Sequence, residues 1–242
     1  MSGIARGRAS AAALIGALGI TVLRIMVLGI AANAMGPIRA QTSQPANSSS
    51  SSKSKQVQKS ASGKASTLDS GTVSAGVYHN PAFGFTCKIP AGWVLRTEEM
   101  NVRGEEGAKT DAGKTGRVLL AAFSRPPEAR AEDVNSSILI VAESAAAYPG
   151  LKDAAQYFGP VTEVAKAREF EVVEQPYEFV MGTKTVVRGD FKKDVGTRVM
   201  RQSTLVVLAR GYAVSFTFIG GSEDEVEELM RGLSFGPTKT AR

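Results

Sequence analysis

Residues 197–219 read TRVMRQSTLVVLARGYAVSFTFI. Two β-prone runs, 197–209 and 212–219, flank the dipeptide Arg210-Gly211. A two-residue connection is what antiparallel hairpins use, because such a turn matches the twist of its strands. The stretch therefore predicts an antiparallel sheet and argues against a doubly wound fold, whose strands are parallel. Upstream, Tyr177–Met181 and residues 185–191 surround Gly182-Thr183 and predict a second hairpin, preceded by a short extended run at 170–173. Downstream, Ser222-Glu223-Asp224-Glu225 is a capping box with acids at the positive end of a helix that runs to about Arg231. Gly232 ends that helix, and Leu233-Ser234-Phe235 closes as a strand.

Further out, Phe83, Phe85, Cys87 and Ile89 alternate with smaller or polar residues, the period of a strand with one apolar face. Pro90-Ala91-Gly92 turns the chain and Trp93-Val94-Leu95 resumes it. Residues 98–116 are polar and glycine-rich and read as a loop. Residues 117–124 and 137–143 are apolar runs bounded by polar residues or proline and read as buried strands. Apolar residues at a spacing of three to four predict helix over 151–158 and 161–168, with Gly159-Pro160 interrupting between them. Strands, a helical region, hairpin-linked strands and a last helix together predict an α+β fold. Its antiparallel sheet of about six or more strands is covered by helices as an α/β/α sandwich.

The chain is not uniform. Its first 75 residues hold eight basic side chains against one acid, Asp69, and carry +7; the whole chain carries +6, so residues 76–242 carry −1. The alkaline character belongs to the N-terminal part, and the rest lacks the cationic footprint on which nucleic-acid binding depends. Residues 1–40 open with Arg6 and Arg8 and continue in an apolar stretch, 9–34, that Arg24 divides. Each uncharged piece is shorter than the roughly 20 residues a spanning helix needs and fits the core of a signal peptide. Ala32-Asn33-Ala34 and Ala40 offer cleavage points; the competing reading keeps residues 9–34 as an anchor in the cytoplasmic membrane. Either way the expectation is a periplasmic, secreted or membrane-tethered protein. Residues 41–75 follow, with serine at 12 of 35 positions, no aromatic residue and four lysines. Such a segment buries too little apolar area to offset its ordering entropy, so it is expected to be a disordered linker whose lysines suit contact with anionic lipid. One domain, residues 76–242, is then expected.

Residues 78–93, YHNPAFGFTCKIPAGW, resemble the opening of PsbP-like domains, the family of the photosystem II extrinsic protein and of bacterial relatives including the periplasmic DcrB-type proteins. The shared grammar is an aromatic, a short turn, Gly-aromatic, a strand, then Pro-x-Gly-Trp. Residues 211–235 resemble that family's last hairpin, helix and strand. The resemblance implies an antiparallel sheet between helices and a role in binding or assembly. It supplies no site residue, because the metal and photosystem roles of the plant member have no motif here to attach to.

The residues themselves offer little chemistry. Ala112-Gly113-Lys114-Thr115 resembles the end of a phosphate-binding loop, but the required earlier glycine falls on Ala108 and a strand follows instead of a helix. His79, the only histidine, has no carboxylate at a telling spacing. Cys87, the only cysteine, excludes an intramolecular disulfide and shares a strand face with Phe85 and Ile89, which reads as core packing. Trp93 reads as a plug at the end of the core, with a partner anchor as the alternative. The pairs Glu98-Glu99, Glu105-Glu106 and Glu227-Glu228 read as solvated charge, and Tyr148 and Tyr157, beside loops, mark the first place to seek a partner surface. Asn47 and Asn135 stand in glycosylation sequons. No catalytic, cofactor-binding or metal-ligating residue is assigned. The expectation is an exported, non-enzymatic binding or assembly module for an unidentified protein partner, with no nucleic acid and no cofactor. A carrier of a small apolar ligand held between sheet and helices is the first alternative; a hydrolase uniting Cys87 or a serine with His79 is the second.

Overall fold

The computed structural model describes residues 68–107, 116–127 and 133–236. The leader, most of the linker, the phosphate-loop mimic and Asn47 lie outside them.

Residues 212–220 lie at the heart of an eight-stranded sheet. Strands are numbered in chain order: β1 Thr72–Ser74, β2 Val77–Asn80, β3 Phe85–Lys88, β4 Val94–Leu95, β5 Gly116–Phe123, β6 Ser137–Ser144, β7 Glu171–Val172, β8 Tyr177–Met181, β9 Lys184–Val195, β10 Arg198–Ala209, β11 Tyr212–Gly220 and β12 Leu233–Phe235. The large sheet runs β4-β5-β6-β11-β10-β9-β7, and β8 pairs with β9 as well. A four-stranded sheet runs β1-β2-β3-β12. The described strand pairs are all antiparallel. The β10–β11 hairpin forms as expected, with Ala209 opposite Tyr212. Arg210 (φ 53) and Gly211 (φ 80) both adopt left-handed backbone, the requirement of a type I′ turn.

Both faces of the large sheet are covered, which is why its central strands read as continuous apolar runs. On one face, Ile138, Ile140, Leu205, Val214, Phe216 and Phe218 pack against the small sheet and against α3, Glu223–Arg231. Phe85 and Phe216 meet edge-on at 4.8 Å, and Phe235 joins them. On the other face lie two helices: α1, Thr97–Gly107, whose Met100 packs over β5 and β6, and α2, Phe158–Lys166, whose Phe158, Val161 and Ala165 pack over β9 to β11. The fold is α+β, as the strand pattern predicts. The layer over the first face is a mixture of sheet and helix rather than helix alone.

Three local expectations change. The loop expected at 98–116 contains α1. Met100 is its one buried apolar side chain, so no apolar stripe announces it. The helix is held by its polar residues. Asn101 Nδ2 donates to the Val118 carbonyl and its Oδ1 accepts from the Val118 N–H, each at 2.9 Å, while Thr97 Oγ1 accepts from the Ala121 N–H at 3.0 Å. These bonds occupy the edge of β5 beyond the two-residue β4, an edge that would otherwise offer unpaired backbone groups. Gly159-Pro160 does not interrupt a helix; it lies in the first turn of α2, where proline's missing N–H has no intrahelical partner to lose. Before it, residues 155–157 form only a 3₁₀ turn. Finally, the sheet begins ahead of Gly76: Thr72–Ser74 pair with β2, and Leu68 packs on the core, so these residues belong to the domain rather than to the linker.

Phe158 docks α2 onto the sheet through a glycine. A Cβ at Gly189 in β9 would stand 2.4 Å from Phe158 Cε1, so only glycine lets the ring lie flat against the strand. Ser222 caps α3 as expected, its Oγ accepting from the Glu225 N–H at 3.2 Å. The Glu225 carboxylate takes the Gly221 N–H at 2.8 Å.

Candidate binding sites

Chain turns gather at one end of the sandwich. The β2–β3 turn, the β8–β9 turn, the β10–β11 turn and Gly236 line a groove of about 720 Å³. Pro81, Thr183 and Leu208 contribute to its walls, and His79, Lys184 and Arg210 bring nitrogen. No carboxylate stands among the described residues that line it. The turns are rigidly set. Asn80 Oδ1 accepts from the Phe83 N–H at 3.0 Å, and Asn80 Nδ2 donates to the Tyr78 hydroxyl at 3.0 Å, closing the β2–β3 turn. Gly182 (φ 60) brings the β8–β9 turn against β12, where a Cβ would stand 2.3 Å from the Phe235 carbonyl oxygen.

A second, much smaller crevice lies beneath α2. Its floor is polar although buried. Gln202 and Thr204 of β10, with Ser215 and Thr217 of β11, point to the α2 side, where the flanking positions are Met200, Val206, Ala213 and Ile219. Thr204 Oγ1 and Thr217 Oγ1 lie 3.1 Å apart, and Gln202 Nε2 donates to Thr204 Oγ1 at 3.2 Å. Val161, Val164 and Ala165 form the roof, and Arg168 completes the lining.

The residues singled out by sequence separate into distinct settings. His79 lines the groove. Cys87 is buried opposite Tyr78, whereas His79 stands opposite Thr86, so the alternation of the small sheet sends the thiol and the imidazole to opposite faces. Burial pushes the Cys87 thiol up to about 12, which removes the thiolate a nucleophile needs. The dyad of Cys87 with His79 therefore does not form. Trp93 is half-buried against the main core, the plug reading.

Tyr157 is buried and Tyr148 half-buried, and both turn their hydroxyls inward. The Tyr148 hydroxyl donates to Glu143 Oε2 at 2.6 Å, and the Tyr157 hydroxyl donates to the same oxygen. Glu143 is 1% exposed, so the two phenols satisfy a buried carboxylate and pin the segment before α2 to β6. Burial, then the Glu143 charge, raises both phenol pKa values.

Glu227 is half-buried rather than fully solvated. Its carboxylate meets Arg188 Nη2 at 2.6 Å, Arg188 Nε reaches Asp190 at 2.8 Å, and Asp190 also takes the Ser203 hydroxyl. This network ties α3 to β9 and β10. Glu228 pairs with Arg231 at the surface, and Glu99 pairs with Arg96. The Asn135 side chain is engaged by Ser124 Oγ at 3.0 Å and by both backbone groups of Arg125, so its sequon amide is a structural clasp. Among the described residues no His, Cys, Asp and Glu side chains group as a metal site, and no helix is long and apolar enough to cross a membrane.

Sequence reasoning missed the crevice and Arg168. The signal was the i, i+2 polar pattern of Gln202/Thr204 and Ser215/Thr217 within strands otherwise dominated by Val, Leu and Phe.

Solved structures with a related fold include cyanobacterial PsbP (CyanoP) from Synechocystis sp. PCC 6803, at 15% identity and TM-score 0.41 over 66% of this chain and 91% of that chain. LpqN of Mycobacterium tuberculosis, described as involved in cell envelope biogenesis, aligns at 13% identity and TM-score 0.33 over 63% and 83%. The Saccharomyces cerevisiae Ran-binding protein Mog1p aligns at 14% identity and TM-score 0.34 over 64% and 92%. No protein-family profile and no curated protein matches the sequence. These alignments supply no argument about activity or partner.

Proposed function

We propose that this chain is an exported binding module whose basic end groove receives an extended, acidic segment of a partner protein. The observation that carries the proposal is the groove itself: four chain segments build it, Lys184 and Arg210 line it, and no described carboxylate answers them. Long clefts lined by one sign of charge raise the local concentration of the opposite charge and speed encounter. The leader and the serine-rich tether are in keeping with such a role, since a linked module searches the volume its linker allows. A binding role also accords with the buried, protonated state of Cys87 and its separation from His79. The test is retention of the full chain on arrays of acidic and neutral peptides matched in length, compared with a K184E/R210E variant. Acidic peptides are expected to be retained preferentially, and the double reversal is expected to weaken binding about tenfold, a typical loss for two contact charges turned repulsive. Equal retention of acidic and neutral peptides, or no effect of the reversal, would refute the groove as the docking site.

A further inference from the structure

We infer that Arg168 and the hydroxyl-lined crevice beneath α2 form a binding site for a single oxyanion group, a carboxylate or a phosphate. The site is distinct from the end groove. It opens between α2 and the middle of β10 and β11, whereas the groove lies at the chain turns.

The first observation is the state of the Arg168 guanidinium. Its Nε and Nη2 are buried, and neither finds an acceptor among the described residues. These two nitrogens carry the parallel N–H bonds of one edge of the guanidinium. That edge is the fork that carboxylates and phosphates accept with two oxygens at once. Arg188 in the same molecule shows the contrast: its Nε and Nη2 are fully engaged by Asp190 and Glu227. A desolvated guanidinium edge is costly unless an acceptor meets it, and the acceptor that fits is an anionic oxygen pair.

The second observation is the company Arg168 keeps. The crevice offers side-chain hydroxyls from Thr204, Ser215 and Thr217 and the amide of Gln202. Gln202, Thr204 and Thr217 are linked to one another, a chain a bound oxyanion would join or rearrange, and no described carboxylate lines the crevice to compete for the cation. Burial lowers the Arg168 pKa, to about 10.

The third is the backbone that sets Arg168 in place. The next residue, Glu169, adopts φ 65 as the left-handed residue that ends α2, its N–H bonded to the Lys166 carbonyl and the Phe170 N–H to the Ala165 carbonyl. Lys193 holds this turn, its Nζ donating to the Arg168 carbonyl at 2.9 Å and to the Glu169 carboxylate at 2.8 Å. This capped turn fixes the end of α2 beside the crevice that Arg168 lines.

The experiment is a titration of the full chain with sodium phosphate and, separately, sodium acetate, at constant ionic strength against sodium chloride. It is read by amide chemical shifts of Gln202, Thr204, Ser215 and Thr217 and by thermal midpoint. The oxyanions are expected to shift these resonances and raise the midpoint, and chloride is not. Stronger binding of phosphate assigns a phosphoryl group, and stronger binding of acetate a carboxylate. R168A is expected to lose roughly tenfold or more in affinity, the loss of a bidentate charge-assisted pair. R168K, which keeps the charge without the fork, is expected to recover only part, and S215A to weaken binding while folding normally. Because Arg168 has no described side-chain partner to lose, R168A without ligand is expected to be at least as stable as the parent. The inference is overturned if neither oxyanion shifts the crevice resonances or if R168A binds as the parent does. It is equally overturned if unliganded R168A is destabilised or unfolded, which would make the guanidinium a structural pin.

Discussion

Replacing Gly189 with alanine tests how α2 is seated on the sheet. The new Cβ would stand 2.4 Å from Phe158 Cε1 and 2.8 Å from Cδ1. Carbon atoms in contact prefer about 3.5–4.0 Å, so the ring, or α2 with it, must retreat by about 1 Å. Phe158 is 2% exposed, and Val161 and Ala165 move with it, so the retreat opens packing elsewhere along the helix. Overpacking of this kind costs about 1–3 kcal/mol, while alanine in place of glycine in a strand returns about 0.5–1 kcal/mol. The expected net loss for G189A is about 1–2 kcal/mol. Phe158→Ala is expected to cost about 3–5 kcal/mol on its own. In the Phe158→Ala background, however, the alanine at 189 meets no ring. There G189A is expected to be neutral or slightly stabilising, giving a coupling of about 1.5–3 kcal/mol between the two sites. Urea unfolding of the four chains, followed by far-UV circular dichroism, measures this directly. If G189A destabilises by the same amount in both backgrounds, to within about 0.5 kcal/mol, the contact does not seat the helix and the reasoning fails.

Asn101→Leu removes the two bonds that occupy the edge of β5 and leaves Val118 N–H and C=O without them. A loss of about 2–3 kcal/mol in chemical denaturation is expected, with a rise in light scattering on heating as the edge becomes available; a soluble variant of parental stability would contradict the edge-cap assignment. Alkaline stability carries a second signature. The Cys87 thiol is raised from 9.0 to about 12 and the Tyr78 phenol from 10.0 to about 12, each chiefly by burial. Both groups therefore hold their protons more tightly when folded, so their contribution is complete below about pH 9 and is lost as pH rises toward 12. Unfolding free energy is expected to fall across that window, and C87A to fall less steeply than the parent; parallel slopes would show that the thiol ionises equally in both states.

The sequence by itself determined the elements whose signals are local. A two-residue turn with Gly211, alternating apolar residues at 83–89, and Ser222 with Glu225 each state their geometry within a few positions, and each forms as read. The sequence also set the division of charge, which keeps the basic first 75 residues apart from the near-neutral remainder. What it could not state are the features whose cause lies across the sheet. Helix α1 has almost no apolar stripe and exists because Asn101 and Thr97 complete a strand edge 17 and 24 residues away. Glu227 looks solvated until Arg188 arrives from β9, and Tyr148 and Tyr157 look like surface aromatics until Glu143 is buried between them and the sheet. The same holds for both candidate sites. Turns distant in sequence converge to make the groove, and four polar side chains on two strands meet Arg168 only when Phe158 lays α2 over Gly189. Periodicity reports which way a residue faces within its own element. Only the packing of elements decides what it meets, and binding depends on that meeting.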